Sequence, residues 1–278
     1  MLVALRPPAH RDAPKRPRGL FGCLTYQIYA ASQTVLECQT ATGVLMAVQD
    51  LVLIPGLASD EALWRSTIDA LGEVARCTIG ATLRDATLQG MARRILDEAP
   101  PKFALVGASM GGIVAMEIMS MVPARVTRLA LVDTIAAPDS APQRRGRQII
   151  SGLAAIPGVF EILIKRSIAS MVHPDTPDAV KRDAAAMSLR IGSKVFARQN
   201  RAIAQRRDLH PVLSGIAVPT AVIAGRHDTK TPLRYSEEIN RLVEGSTLDI
   251  IEHCGHLSPI EQLKAVADLL KRWLSRKA

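Results

Sequence analysis

The sequence predicts an α/β protein: a mostly parallel, doubly wound sheet interrupted by an inserted helical lid. Three observations carry this. From Met46 onward, short apolar runs stopped by Gly or Pro alternate with stretches of helical periodicity, the pattern of βαβ units. The alternation breaks over Ile135–Val218, where about eighty residues lack a strand pattern, too many for an ordinary connection. Hydrophobic residues make up 48% of the 278, enough to cover both faces of a sheet and too many for general disorder.

The elements follow in order. Residues 1–18 carry four prolines and five basic residues against one acid, so they have little to bury. Gly19–Ala31 is mildly apolar, but Thr25, Tyr26, Gln27 and Tyr29 interrupt it. It reads as an N-terminal extension rather than a secretory leader, which points to a cytoplasmic protein. A true start near Met46 is a second reading. Residues 22–45 otherwise supply an extra edge hairpin, from strand-like Leu24–Tyr29 and Thr34–Glu37. The core then begins with a buried strand in Asp50–Gly56, stopped by Pro55-Gly56. A helix over Asp60–Leu71 is capped by Ser59 or Asp60. Next come a strand at Val74–Ile79, a helix at Ala86–Glu98 and a strand at Phe103–Val106. A helix at Met110–Met121 and a strand at Val126–Val132 follow.

The insert holds helices at Gln143–Leu153, Phe160–Met171, Pro177–Ile191 and Lys194–Gln205, punctuated by Pro157-Gly158 and His173-Pro174. After it come a strand at Thr220–Ala224, a helix near Pro232–Leu242, a strand at Thr247–Ile251 and a final helix from Ser258 to Leu274. The expected organisation is an extension over 1–45, a core from 46–135 and 216–278, and a lid over 136–215.

Composition excludes several function classes. No apolar run reaches the ~18 residues of a membrane helix. Aromatics are 3%, too few for platforms that stack single-stranded nucleic acid. Cys23, Cys38, Cys77 and Cys254 are too scattered for a disulfide scaffold or a zinc knuckle. The net charge of +9 is uneven: residues 136–215 hold thirteen Lys or Arg against six acids. A uniformly basic nucleic-acid binder would not concentrate its charge there. The surplus suits an anionic substrate or an acidic carrier protein; single arginines such as Arg144, Arg145 and Arg147 are otherwise solvated surface.

The strongest local signal is Gly107-Ala108-Ser109-Met110-Gly111, between an apolar strand and an apolar helix. G-x-S-x-G in that setting is a nucleophile elbow. The turn lifts the Ser109 hydroxyl above the sheet, over the N-terminus of the next helix. Serine needs a base to take its proton. Of six histidines, His256 sits in a Gly-His turn between a strand and a helix, at the same sheet edge. His253 is the rival. The base needs a carboxylate, and Asp228 follows a strand in an equivalent loop, with Asp133 as the alternative. The order Ser109, Asp228, His256 is that of one known arrangement of the three groups. An oxyanion would rest on two backbone N–H groups, Met110 in the elbow and Leu57 after the first core strand, where Gly56 permits the turn. Cys254 reads as a small buried residue. With no HExxH, no GxGxxG after the first strand and no Walker lysine, neither cofactor nor metal is expected.

The motifs LVLIPGLASDEALW, VGASMGG, VIAGRHDTKTP and IEHCGHLSPIEQ resemble those of the α/β-hydrolase superfamily. From Met46 to the C-terminus the chain is similar to the branch of small bacterial esterases, lactonases and C–C hydrolases with a helical cap. The resemblance implies Ser109, Asp228 and His256 as the catalytic triad of a serine hydrolase. Trp64 matches a position this branch often fills with Trp, and packing is its expected role. Pro55 stands where many relatives carry His. The function expected is cleavage of a carboxylic ester or lactone through an acyl-enzyme. The alternatives are a carrier-protein-linked methyl ester or thioester hydrolase, a C–C hydrolase, a haloperoxidase-like enzyme, or a receptor on the same scaffold.

Overall fold

The structure, a computed structural model, describes residues 37–39 and 45–276, with 37–39 and 45–47 described by backbone alone. The expected strand at Leu24–Tyr29 lies outside them, as do Cys23 and most of Thr34–Glu37. Strands β1 (Glu37–Gln39) and β2 (Leu45–Ala47) pair antiparallel with each other as a separate two-stranded sheet.

The main sheet has six parallel strands in the order β4-β3-β5-β6-β7-β8. They are β3 (Gln49–Ile54), β4 (Ala75–Ile79), β5 (Phe103–Ala108), β6 (Val126–Val132), β7 (Thr220–Gly225) and β8 (Thr247–Ile251). Both faces are covered, as parallel sheets require. Strand side chains alternate between two cores. Val52, Ile54, Leu105, Leu129, Leu131 and Val222 face helices α2 (Leu88–Glu98), α3 (Met110–Met121) and α9 (Arg234–Leu242). Leu51, Leu53, Val106, Val132 and Ile223 face α1 (Arg65–Leu71) and α11 (Leu263–Leu274). Trp64 is fully buried in that second core, the packing role expected of it.

Side-chain caps open three of the helical elements, Ser140 capping the first helix after β6 in a box with Gln143. Thr87 accepts the Gly90 N–H at the start of α2, and Asp60 accepts the Ala62 N–H. Asp60 opens a single 3₁₀ turn, and α1 starts only at Arg65. The final helix is not continuous. Gln262, with φ −133° and ψ 50°, separates α10 (Ser258–Glu261) from α11.

The segment between β6 and β7 is helical: α4 (Ala141–Leu153), α5 (Val159–Met171), α6 (Asp178–Ile191), α7 (Ser193–Ala204) and a short α8 (His210–Leu213) absent from the sequence reading. Its root is polar and buried. Arg147 Nε donates to Asp139 Oδ2 at 2.6 Å. Arg206 lies 2.8 Å from Asp139 Oδ1, an ion pair outside hydrogen-bond geometry, and donates from Nε to Ala137 O at 2.7 Å. Removing one partner would strand a buried charge, so this cluster fixes how the segment leaves the sheet. Its inner face, with Ile164, Ile168, Val172 and Phe196, packs on Ala58 and Leu257 in the loops at the sheet's carboxyl edge. Among the described residues no helix is long and apolar enough to cross a membrane.

Candidate active site

Three loops at the carboxyl ends of β5, β7 and β8 bring Ser109, Asp228 and His256 together. Ser109 has φ 52° and ψ −115°, a left-handed backbone that non-glycine residues rarely adopt. Several bonds over-determine it. Ser109 N donates to Val132 O at 2.9 Å, and its carbonyl accepts from Thr134 Oγ1 at 2.7 Å. The flanking glycines are required by space: a Cβ on Gly107 would strike the Gly111 backbone, and one on Gly111 would strike Ile54 and Pro55. The elbow and the loop after β3 are therefore in backbone contact.

His256 Nε2 lies 2.9 Å from Ser109 Oγ, and His256 Nδ1 lies 2.7 Å from Asp228 Oδ2. A carboxylate only accepts, so Nδ1 carries the proton and Nε2 presents its lone pair to the serine hydroxyl. Asp228 is itself held. Its Oδ1 accepts from Lys230 N at 2.7 Å and Thr231 N at 2.9 Å, and its Oδ2 from Thr231 Oγ1 at 2.6 Å. Burial alone would raise the Asp228 pKa. The hydrogen bond and charge of His256 outweigh it and hold the carboxyl below the ordinary range. For His256, burial opposes the imidazolium, yet Asp228 and then Asp133 favour it more strongly, so its pKa is raised.

Asp133 and His253 do other work. Asp133 is fully buried and accepts from Gly225 N at 3.0 Å and from Ser258 Oγ at 2.6 Å, tying the ends of β6 and β7 to the start of α10. Burial, then the charge of Asp228, raises its pKa to about 7. The His253 ring lies in a group with His173 and His227. Cys254 is buried, and burial pushes its thiol pKa far up, which removes it as a nucleophile at neutral pH.

Met110 N and Leu57 N have no hydrogen-bond acceptor among the described residues. The turn that carries Leu57 takes its left-handed residue at Ala58, with φ 53°, and not at Gly56. Ala58 N is fixed by Gln199 Oε1 of α7 at 2.9 Å, and Gln199 Nε2 donates to Thr82 O. The helical segment thus braces this loop.

Sequence reasoning missed Glu261. Its Oε2 accepts from Gly255 N at 3.1 Å, His173 N at 2.7 Å and Thr176 Oγ1 at 2.9 Å, and its Oε1 from Leu257 N at 2.9 Å. One carboxylate joins the loop of His256 to the connection between α5 and α6. Met171 O, at the end of α5, accepts the His256 N–H at 2.7 Å. The available signal was an acid in the first turn of a Pro-containing helix, and it does not say where the side chain reaches.

The sequence pattern described as the Alpha/beta hydrolase family matches residues 51–269. A pimeloyl-[acyl-carrier protein] methyl ester esterase of Aliivibrio salmonicida is 25% identical over 241 residues, covering 81% of this chain and 92% of that protein. Among solved structures, a thermophilic esterase from Thermogutta terrifontis superposes with a TM-score of 0.73 at 25% identity, covering 81% of this chain and 89% of that one. The enol-lactonase from Burkholderia xenovorans superposes with a TM-score of 0.73 at 20% identity, over 82% and 92% of the two chains.

Proposed function

The chain belongs to the alpha/beta hydrolase family, and we propose that it is a serine hydrolase cleaving a carboxylic ester or lactone through an acyl-enzyme. One observation carries the reading: the unbroken hydrogen-bond chain from Ser109 through His256 to Asp228. His256 Nε2 takes the Ser109 proton as Oγ attacks the carbonyl carbon. Asp228 stabilises the imidazolium without taking its proton. The tetrahedral oxyanion is held by the Leu57 and Met110 N–H groups, above the N-terminus of α3. His256 then protonates the leaving alcohol, and the ester bond breaks. Water, deprotonated by His256, repeats the sequence on the acyl-enzyme and frees Ser109 and the acid.

In this reading the helical segment over 136–215 is a lid, 46–135 and 216–278 are the catalytic core, and 1–45 is an extension. Its inner apolar face would select the acyl group. This reading takes the cytoplasm as the compartment, and fractionation of the expressed protein tests it.

A second reading, hydrolysis of a methyl ester or thioester on an acidic carrier protein, draws support from the basic surplus of the lid. It also draws on the activity named for the Aliivibrio relative.

The test is labelling by a fluorophosphonate, with turnover of p-nitrophenyl esters, lactones and vinylogous diketones. Wild type should label and turn over an ester or lactone. Ser109→Ala should lose the label and at least ~10³-fold in kcat. Full labelling of the Ala variant would remove Ser109 from the mechanism, and ligand binding without turnover would favour a receptor.

A further inference from the structure

Three of the six histidines take no part in the Ser109 chain yet meet at one place. His173 lies at the start of the connection out of α5, His227 follows β7 and His253 follows β8. The ring centroids of His173 and His227 are 4.5 Å apart, and those of His173 and His253 are 5.4 Å apart, both edge-on. Asp175 adds a carboxylate. One donor atom from each of His173, Asp175 and His253 lies within 4.8 Å of the others.

We propose that His173, Asp175 and His253 bind a divalent transition metal of the Zn²⁺ class. Two imidazoles and one carboxylate suit Zn²⁺, Ni²⁺ or Cu²⁺, whereas Ca²⁺ and Mg²⁺ prefer oxygen alone. Ligand bonds of about 2.0–2.2 Å around a tetrahedral ion put donors roughly 3.3 Å apart. The three donors must therefore close by up to about 1.5 Å. Asp175 and His253 are exposed and on loops, so they can make that movement. His173 is buried, with the His227 ring against it, and serves as the fixed ligand.

The proton arrangement at His173 is compatible. Nδ1 accepts the Asp175 N–H at 3.2 Å, so the lone pair is on Nδ1 and the proton on Nε2. The same Nδ1 lies 3.8 Å from Asp175 Oδ2. A metal ion between them would take the lone pair that the Asp175 N–H now occupies. A fourth tetrahedral position is left for water.

The consequence is mechanical. His253 is three residues before His256, and His173 N donates to Glu261, which also holds Gly255 and Leu257. An ion here would clamp the helical segment to the loop that carries His256, without touching Ser109.

The test is calorimetric titration of the untagged full chain with Zn²⁺. The variants are Asp175→Asn and His253→Asn, the latter because Asn tolerates the left-handed φ of 51° at this position. His210→Ala, which alters the separate pair with Asp208, is the control. We expect one equivalent bound by wild type and by the control in the micromolar range, and at least tenfold weaker binding in both site variants. No saturable binding to wild type, or wild-type affinity in either site variant, overturns the proposal. Zn²⁺ titration of the unmutated chain followed by imidazole NMR gives a second reading free of folding effects. Shifts at His173 and His253 support the site, and shifts confined to other histidines overturn it. Neither readout depends on esterase activity, so failure here is distinct from failure of the hydrolase reading.

Discussion

Glu261 holds the backbone on both sides of His256, accepting from Gly255 N at 3.1 Å and from Leu257 N at 2.9 Å. The histidine that would act as base is therefore positioned by a carboxylate that touches neither its ring nor Ser109. Glu261→Gln turns an amide N–H₂ toward donors that now find a lone pair, leaving at least one N–H unpaired at a cost of roughly 1–3 kcal/mol. We expect kcat to fall about tenfold or more with KM little changed, and Ser109 labelling by fluorophosphonate to slow in parallel. An unchanged labelling rate in a folded variant would show that the His256 loop holds its shape without Glu261.

Asp228 and Asp133 end neighbouring strands, and only Asp228 reaches the His256 ring. Asp228→Asn should lower kcat by on the order of 10³- to 10⁴-fold, because the imidazole loses the partner that fixes its tautomer. Asp133→Asn should act first on stability, since Asp133 accepts from Gly225 N and Ser258 Oγ in a fully buried place. Thermal melts and kcat measured side by side separate the two. A larger kcat loss in Asp133→Asn than in Asp228→Asn would reverse the assignment.

The pH dependence follows from the same groups. The His256 pKa is raised above 6.5 by Asp228 and Asp133 against the pull of burial. The base works only when neutral, so kcat/KM should rise with pH through an apparent value above 6.5 that belongs to the coupled cluster. Asp228→Asn should move that value down. Stability runs separately. A raised His256 pKa contributes at low pH and is lost as pH rises through the folded value. The depressed Asp228 contributes above its unfolded value and is lost as pH falls. Asp133, raised to about 7, costs stability as pH climbs from its unfolded 3.8 toward 7. Asp133→Asn should flatten the melting temperature over that range, and an unchanged slope would place its source elsewhere.

Local patterns carried the sheet and the elbow. Met110–Met121, Val126–Val132 and Thr247–Ile251 coincide with their expected bounds, because apolar periodicity and Gly or Pro stops act within one element. Ser109 was legible because its constraints are local. Glu261 and the Gln199–Ala58 bond were not, because each joins residues whose approach depends on how the helical segment folds back. The histidine group was hidden for the same reason: its members come from three loops, so no short spacing announces it. The break at Gln262 left no trace in a continuous helical pattern. The turn after β3 misled because a glycine drew attention while Ala58 took the left-handed backbone.

The basic surplus of the helical segment is smaller in effect than its count suggests. Arg147 and Arg206 serve the buried Asp139, Arg207 pairs with Glu117, Arg190 with Asp60, and Arg198 donates to Leu83 O. Arg144 is likewise committed, to Asp139 O. Reversing Arg144 or Arg147 would therefore damage the fold and say little about encounter. Arg145, Arg166 and Arg201, like Arg182 and Lys194, are exposed and have no ion-pair or hydrogen-bond partner among the described residues, so they are among the charges free to steer. If an acidic carrier delivers the substrate, its kcat/KM should fall between 0.1 M and 1 M salt, as the Debye length shrinks from ~10 Å to ~3 Å. A neutral p-nitrophenyl ester should show no such fall, because nothing steers its encounter. Arg145→Glu, Arg166→Glu and Arg201→Glu together should lower the carrier-bound rate at low salt and flatten its salt slope, with the neutral ester unaffected. Equal salt profiles for both substrates in wild type would assign these three arginines to solvated surface and leave the carrier reading without its electrostatic support.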